Sequence, residues 1–509
     1  MSSSEKSYGE DSRQQSDFPQ HDLSARPQLT QRLAQNSIAA FLSQLLTLLA
    51  NTGITVILAR SLGESQFGLF SYGLVFVNLF AMLADFGMKP ILVRELSRDH
   101  WQSGELLGNA VLIKLFLSGL TIGLAIVASW FSGHPREFVL VIAMFACNVL
   151  VTSKLFALRI AFEAPFHANL QMAVPMLLQL LDNLLSFVVL YVLALQDASL
   201  QVLVLAYVMC NVPGMLLTIH LARRRVHYQF TPNPALIRFI LKESLPMGIY
   251  IFIMTLYNSI DVLMLEAWLG ESAVGQYAAA TRLVTPLLFI PHGVVVSLFP
   301  IFSRYHESSP QHVAFALNLA LKIVSLIALA LAICFSFWGE SIITLLYSER
   351  YHGAIVPLVI MMWGQIFFFL NFFFVDTLTS VDQQRVNFTA AAAMLLINAG
   401  TLVVLIPKFG LPGAALGKLI SSGCGFAILF RAICKNFNVH VKGFLLRATL
   451  VGSLCALGLA FFMKLQPLAS IIAAPILFVS LVLTLKVFDK EEMAIFRSAI
   501  RTSFPLFKP

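Results

Sequence analysis

Runs of apolar residues of helix length, each closed by a short polar connection, fill the chain from about residue 36 to residue 487. They predict helices at 36–59, 69–88, 108–131, 137–158, 172–195, 200–222, 245–267, 276–301, 317–338, 354–378, 387–407, 412–434, 446–464 and 468–487, fourteen in all. A bilayer core takes roughly 20 apolar residues per helix, so each run is long enough to cross. The softest edges lie near 303–320 and 340–353, where Ser341-Ile342-Ile343-Thr344-Leu345-Leu346-Tyr347 is amphipathic enough for the interface. The pattern gives an all-α, polytopic membrane protein.

One polar connection occurs twice. Leu62-Gly63-Glu64-Ser65-Gln66-Phe67-Gly68 returns as Leu269-Gly270-Glu271-Ser272-Ala273-Val274-Gly275, five of seven residues being identical. The offset holds upstream: Ser37 aligns with Ser244, Leu49 with Leu256, Asn51 with Asn258 and Leu58 with Leu265. Aligned flanking helices make this a duplication rather than two unrelated glycine turns. Six helices separate the two turns, an even number, so both copies enter the membrane in the same direction. The halves are then related by a pseudo-two-fold along the membrane normal. The expected division is a disordered tail (1–30), a first six-helix lobe (31–222), a basic linker (223–242), a second lobe (243–434), two further helices (435–487) and a C-terminal tail (488–509).

Composition agrees with the pattern: 58% hydrophobic residues, 12% charged and a mean hydropathy of +0.81. The net charge of +8 is largely a topological bias. With the N-terminus inside, the inner segments carry Lys89, Arg94, Arg98, Arg159, Arg223–Arg225, Arg238, Lys242, Arg385, Lys435, Lys442 and Arg447. The outer turns carry Arg60, Arg136, Arg350, Lys408 and Lys464. Both termini are therefore expected in the cytoplasm, and no nucleic-acid partner is implied. No signal peptide is expected, because no apolar segment follows the start. The six cysteines fall within or at the ends of spans, so neither a disulfide framework nor a metal site is expected.

Several short elements resemble the polysaccharide transporter family of Wzx-type flippases, within the multidrug/oligosaccharidyl-lipid/polysaccharide exporter superfamily. They are Ala59-Arg60-Ser61-Leu62-Gly63-Glu64-Ser65-Gln66-Phe67-Gly68, Asp85-Phe86-Gly87 with Arg94, Ser259-Ile260-Asp261, Gly275-Gln276-Tyr277-Ala278-Ala279-Ala280 with Arg282, and Gly410-Leu411-Pro412-Gly413-Ala414-Ala415. The resemblance covers roughly residues 31–487. It implies two lobes around a cavity that opens alternately inward and outward, in a bacterial inner membrane. The implied substrate is an undecaprenyl-pyrophosphate-linked repeat unit for O-antigen lipopolysaccharide, capsule or exopolysaccharide. The implied partners are the polyprenyl-pyrophosphate-linked glycan, the lipid bilayer, a polysaccharide polymerase and a chain-length regulator. No cofactor is implied, and proton or sodium coupling stays open. Exporting two negative charges from an inside-negative cell gains roughly 4–5 kcal/mol per 100 mV, so coupling is not obligatory.

Charges inside spans cost about 2.5–3.5 kcal/mol each at a helix centre, so each needs a reason. Asp261 and Arg282 fall at similar depth on neighbouring helices. Two readings stand: a structural ion pair, or an ion-coupling Asp261 beside a substrate-contacting Arg282. Lys114 and Lys418 are candidate substrate-binding cations of the lumen, with snorkelling the alternative for Lys114. Asp182 either bonds within its half or accepts a coupling proton. His292, beside the helix interruption at Pro291, is a packing residue or a proton relay. Asn51 and Asn258 line the cavity as counterparts or act as interhelical glue.

No nucleophile–base pair or nucleotide-binding loop stands out, so an enzyme is not expected. A polytopic polymerase or ligase would need an outer loop with catalytic groups, and the connection near 339–353 offers Glu340, Glu349, Arg350 and His352. Within transporters the alternatives are a lipid II flippase and a cation-coupled small-molecule antiporter.

Overall fold

The computed structural model describes residues 26–98, 101–133, 135–155, 157–169, 171–291, 293, 310–437, 442–465, 467–489 and 491–494. The predicted tail from residue 1, the end of the eighth run, His292 and the chain after 494 lie outside them, wholly or in part. All regular structure among the described residues is helical: α1 (Arg26–Asp85), α2 (Met88–Arg98), α3 (Ser103–Phe131), α4 (Arg136–Val151), α5 (Ile160–Ala168), α6 (Ala173–Leu195), α7 (Leu200–Met209), α8 (Val212–Arg223) and α9 (Pro234–Val284). After a 3-10 turn at Thr285–Leu288 come α10 (Pro310–Tyr347), α11 (Ile355–Ser380), α12 (Gln384–Phe409), α13 (Leu411–Asn436), α14 (Lys442–Leu465) and α15 (Pro467–Thr484). Among the described residues, ten helices are long and apolar enough to cross a membrane. Two of these, α1 and α9, bend at a glycine and cross twice. Two further crossings, α4 with α5 and α15, are broken or short, which gives the fourteen that the hydropathy predicts.

The two bends are the duplicated turns. Gly63 has φ 73°, ψ 177° and Gly270 has φ 78°, ψ −176°. That region is essentially closed to residues with a Cβ, so glycine is what allows the chain to double back here. The bends also touch each other. Ser65 Oγ donates to Glu271 at 3.1 Å. A Cβ on Gly68 would overlap the Glu271 carbonyl, and one on Gly275 would overlap the Glu64 carbonyl. The contact is reciprocal, as in a two-fold pair, and puts both turns on one face of the bundle. α1 and α9 accordingly form the most extensive helix pairing in the fold.

Below the turns, Gly63–Asp85 and Gly248–Gly270 each span 22 residues, about 33 Å of helix and close to one hydrocarbon thickness. At their far ends the chain meets itself again. Phe86 and Gly87 adopt positive φ (47° and 67°), turning the chain out of α1 and into α2. There a Cβ on Gly87 would overlap the Gly248 backbone, and Arg94 Nη2 lies 2.9 Å from Glu243 Oε2.

One expectation needs correction. The run at 137–158 is not one helix: α4 ends at Val151, Thr152 is extended (φ −78°, ψ 145°), and α5 starts at Ile160. The basic linker is bonded to the first half and caps α9. Gln229 N–H donates to the Gly104 carbonyl at 2.9 Å, Asn109 Nδ2 to the Thr231 carbonyl at 3.1 Å, and Asn233 caps α9 from Pro234 onward. Tyr228 packs its ring on Phe162 at 5.2 Å, and burial pushes its phenol above the ordinary range.

Candidate functional site

Ionisable groups meet at several places inside the bundle, three of which bear on the expected site residues. In the second half, Asp261 (2% exposed) projects from α9 toward Tyr277 on the other arm of the same helix. The Tyr277 hydroxyl donates to Asp261 Oδ2 at 2.6 Å. Lys418, from α13, places Nζ 3.7 Å from the same oxygen. Its firmest bond goes to the Tyr257 carbonyl at 2.7 Å, and it stands 4.1 Å above the Tyr257 ring, a cation–π distance. Lys418 keeps 21% of its side chain exposed, so this cluster has one open edge.

The expected pairing of Asp261 with Arg282 is therefore not the one formed. Similar depth along neighbouring helices does not by itself make two side chains face each other. Arg282 follows Tyr277 by five residues, some 500° around the axis at 3.6 residues per turn, which turns it about 140° away. It is half-buried, and its charge acts on the buried Tyr347.

In the first half, Arg159 is fully buried just before α5 and faces two carboxylates. Its Nε lies 3.0 Å from Glu163, and its Nη1 bonds Asp182 of α6. Gly214 makes room, since a Cβ there would overlap the Asp182 carboxylate. Glu163 was absent from the sequence-based candidates, and Arg159 was placed among the inner topological charges. The i,i+4 spacing of Arg159 and Glu163 is the signal that could have found the pair.

Lys114 is also fully buried. Its ammonium donates to the Ala84 and Asp85 carbonyls at 3.3 and 3.2 Å and lies 3.7 Å from the Asp85 carboxylate. It closes the C-terminal end of α1, where a cation suits the helix dipole. With no accessible surface it offers a passing ligand nothing, unlike the lumen cation expected of it.

Asn51 is half-buried and accepts from Lys154 Nζ at 3.0 Å, whereas Asn258 is exposed. The two are thus not equivalent in surroundings. Lys154 is a charge within a predicted span that the sequence reasoning passed over. His292 lies outside the described residues.

Apart from these clusters, the bundle holds an apolar groove. Leu326, Cys334, Trp338 and Leu345 of α10, Leu459 of α14 and Phe478 of α15 line a cavity of about 720 Å³ between these three helices. One end is tied by Lys322, whose Nζ lies 2.9 Å from Glu492 and 3.4 Å from Asp489. Glu492 is itself buried, so this end of the groove is closed by a sheltered ion pair.

A bundle of fourteen crossings, folded back at two matching glycines and carrying ion pairs within its spans, defines a multi-pass membrane transporter. The chain belongs to the polysaccharide biosynthesis protein family, which it matches over residues 33–306, more than half its length. Residues 246–404 also match the MatE family. The chain is 21% identical over 394 residues to the probable low-salt glycan biosynthesis flippase Agl15 of Haloferax volcanii, covering 76% of this chain and 81% of that one. An uncharacterized membrane protein of Methanocaldococcus jannaschii, MJ1068, is 23% identical over 43% of each chain. Among solved structures, the lipid II flippase MurJ in its inward closed conformation superposes with a TM-score of 0.72 at 16% identity, over 89% of this chain and 99% of that one. An inward-facing multidrug resistance MATE transporter of the MOP superfamily reaches 0.60 at 15% identity, over 78% and 98%. These likenesses establish the fold.

Proposed function

We propose that the chain is a flippase. It moves an undecaprenyl-pyrophosphate-linked oligosaccharide from the cytoplasmic to the outer leaflet of a bacterial inner membrane, for O-antigen, capsule or exopolysaccharide assembly. The termini lie in the cytoplasm, and residues 31–222 and 243–434 move as two lobes. The observation that carries this reading is the combination, in one bundle, of a partly exposed cation, Lys418, with an apolar groove lined by α10, α14 and α15. A lipid-linked sugar needs both. Its charged, hydrated head cannot cross hydrocarbon unaided, while its isoprenoid tail favours an apolar surface. The family match and the glycan flippase relative support the same direction.

Alternating access follows from the two ends of the α1–α9 pairing. Separating the glycine turns opens one face, and separating Gly87 and Arg94 from Gly248 and Glu243 opens the other. Asp261 with Lys418, or Asp182 with Glu163, is where a proton or sodium ion would couple to that exchange. The test is surface glycan export in a flippase-deleted strain, normalised to membrane protein level. Restored export supports the reading. Rescue of a lipid II flippase depletion strain without glycan export would replace it with the lipid II alternative.

A further inference from the structure

The segment joining the two halves carries charge of one sign. Between Asp197 and Glu243 the sequence has no carboxylate, yet it holds Arg223, Arg224, Arg225, Arg238 and Lys242. All five side chains are exposed, and among the described residues none of them forms a salt bridge. The chain beneath them is fixed. Gln229 N–H is bonded to the Gly104 carbonyl, Asn109 to the Thr231 carbonyl, and Asn233 Nδ2 to Glu105 Oε1 at 2.8 Å. The cations are therefore held at set places on a rigid rim.

Aromatic rings are set among them. The Arg225 guanidinium lies 5.0 Å from the Phe166 ring centroid, and Tyr228 and Phe230 stack nearly parallel (6.4 Å, 19°). Trp101 packs at 5.8 Å on Phe239, the chain neighbour of Arg238. Phe230 is 45% exposed. Open water disfavours such a ring, whereas the boundary between headgroups and acyl chains accommodates it.

Depth agrees. Lys242 precedes Gly270 by 28 residues of continuous helix, about 42 Å, and a bilayer with both headgroup layers measures about 40–45 Å. With the glycine turns at one interface, Lys242 and Arg238 stand at the headgroups of the other. Apolar side chains continue each cationic face toward the hydrocarbon. Arg238, Lys242, Leu245 and Ile249 fall within about 60° of one another around α9, and Leu216 shares a face of α8 with Arg223; all six are exposed.

We infer that this rim, residues 223–242, is a docking surface for anionic phospholipid headgroups, whose acyl chains run along the exposed apolar faces of α8 and α9. A phospholipid matches the sign of the charge, the aromatic boundary and the apolar continuation together; a free phosphate matches the first alone. The inference holds whatever cargo the bundle carries. It anchors the covalent joint between the two halves in one leaflet.

The test uses the full chain in detergent micelles, titrated with phosphatidylglycerol, phosphatidylcholine or inorganic phosphate. Bound lipid is counted by native mass spectrometry, and stability is followed by thermal unfolding. Phosphatidylglycerol should be retained about tenfold more tightly than phosphatidylcholine and should raise the midpoint, an effect that fades between about 0.1 and 0.5 M salt. Inorganic phosphate should do no more than chloride at equal ionic strength. A basic residue close to an anionic surface contributes about fivefold, so Arg223→Gln with Arg224→Gln, and Arg238→Gln with Lys242→Gln, should each weaken phosphatidylglycerol binding roughly 25-fold. Phosphatidylcholine binding should not change in either. Arg223→Lys with Arg224→Lys should keep most of the affinity. Arg136→Gln with Lys408→Gln removes the same charge from the outer turns and should weaken binding by less than about fivefold. An equal loss in that outer pair, wild-type affinity in either folded inner pair, or stabilisation by inorganic phosphate alone overturns the docking surface. Where an inner pair folds poorly, the wild-type protein still decides: equal retention of the two lipids, or indifference to salt, overturns it as well.

Discussion

The two halves of the molecule share a turn down to its backbone angles, yet they bury charge in different ways. In the first half, Arg159 is sealed between Glu163 and Asp182, and Lys114 is sealed against the end of α1. In the second, Asp261 and Tyr277 are sealed, but Lys418 keeps an open edge. Duplication thus preserved the hinge-like frame, whereas the polar interior was rebuilt independently on each side. A closed ion cluster fixes helix positions; one with an exposed ammonium can also bind. The first half also holds Lys154, half-buried and bonded to the neutral Asn51 and Tyr207 side chains.

This contrast can be broken at several points. The largest effect is expected from Arg159→Ala, which leaves Glu163 and Asp182 buried without their cation. Removing one partner of such a cluster typically costs about 3–5 kcal/mol. Thermal unfolding in detergent, followed by size-exclusion fluorescence, should show a sharply lowered midpoint. Survival at the wild-type midpoint would mean that the cluster is hydrated rather than sealed.

Next come the two turns, where symmetry itself is at stake. Gly68→Ala and Gly275→Ala each drive a methyl group into a backbone carbonyl of the other turn. Each should cost about 1–3 kcal/mol or more and should impair closure of that face equally, read by cross-linking of paired cysteines across the turns. Gly119→Ala and Gly123→Ala, which face open space, are the controls. Unequal effects of the first pair would show that the contact is not truly reciprocal.

Tyr277→Phe is a smaller perturbation. It removes the hydroxyl donor from Asp261 and should cost about 1–2 kcal/mol. The freed carboxylate should then draw Lys418 closer and slow glycan export. Unchanged export with a lowered midpoint would leave Tyr277 purely structural. The smallest effect is expected for Arg282→Ala, at under about 1 kcal/mol, because Arg282 is no partner of Asp261. A midpoint shift as large as that of Arg159→Ala would contradict this placement.

The helices, the duplicated turns and the shared face of those turns were legible in the sequence, because hydrophobic period and a constant offset are local signals. The break at Thr152 was not. Val149-Leu150-Val151-Thr152-Ser153-Lys154-Leu155 contains neither proline nor glycine, and what ends the helix there is tertiary: Lys154 turning to Asn51 and Arg159 to Asp182. The partner of Asp261 was hidden for a related reason. Counting residues gives depth, but Lys418 arrives from more than 150 positions away and no local pattern announces it. Lys154 itself could have been found by asking of every span what each charge was for.

The Lys322–Glu492 tie has a consequence for how the chain is made. Its partners are 170 residues apart, and Glu492 follows the last crossing. At about 5–20 residues per second, Lys322 enters the membrane region roughly 10–30 s before its carboxylate exists. During synthesis α10 therefore stands with an unpaired ammonium that water must hold near the interface. The groove between α10, α14 and α15 can be drawn shut at that end only once α15 and Glu492 have been delivered, so this flank takes shape after the two halves that precede it.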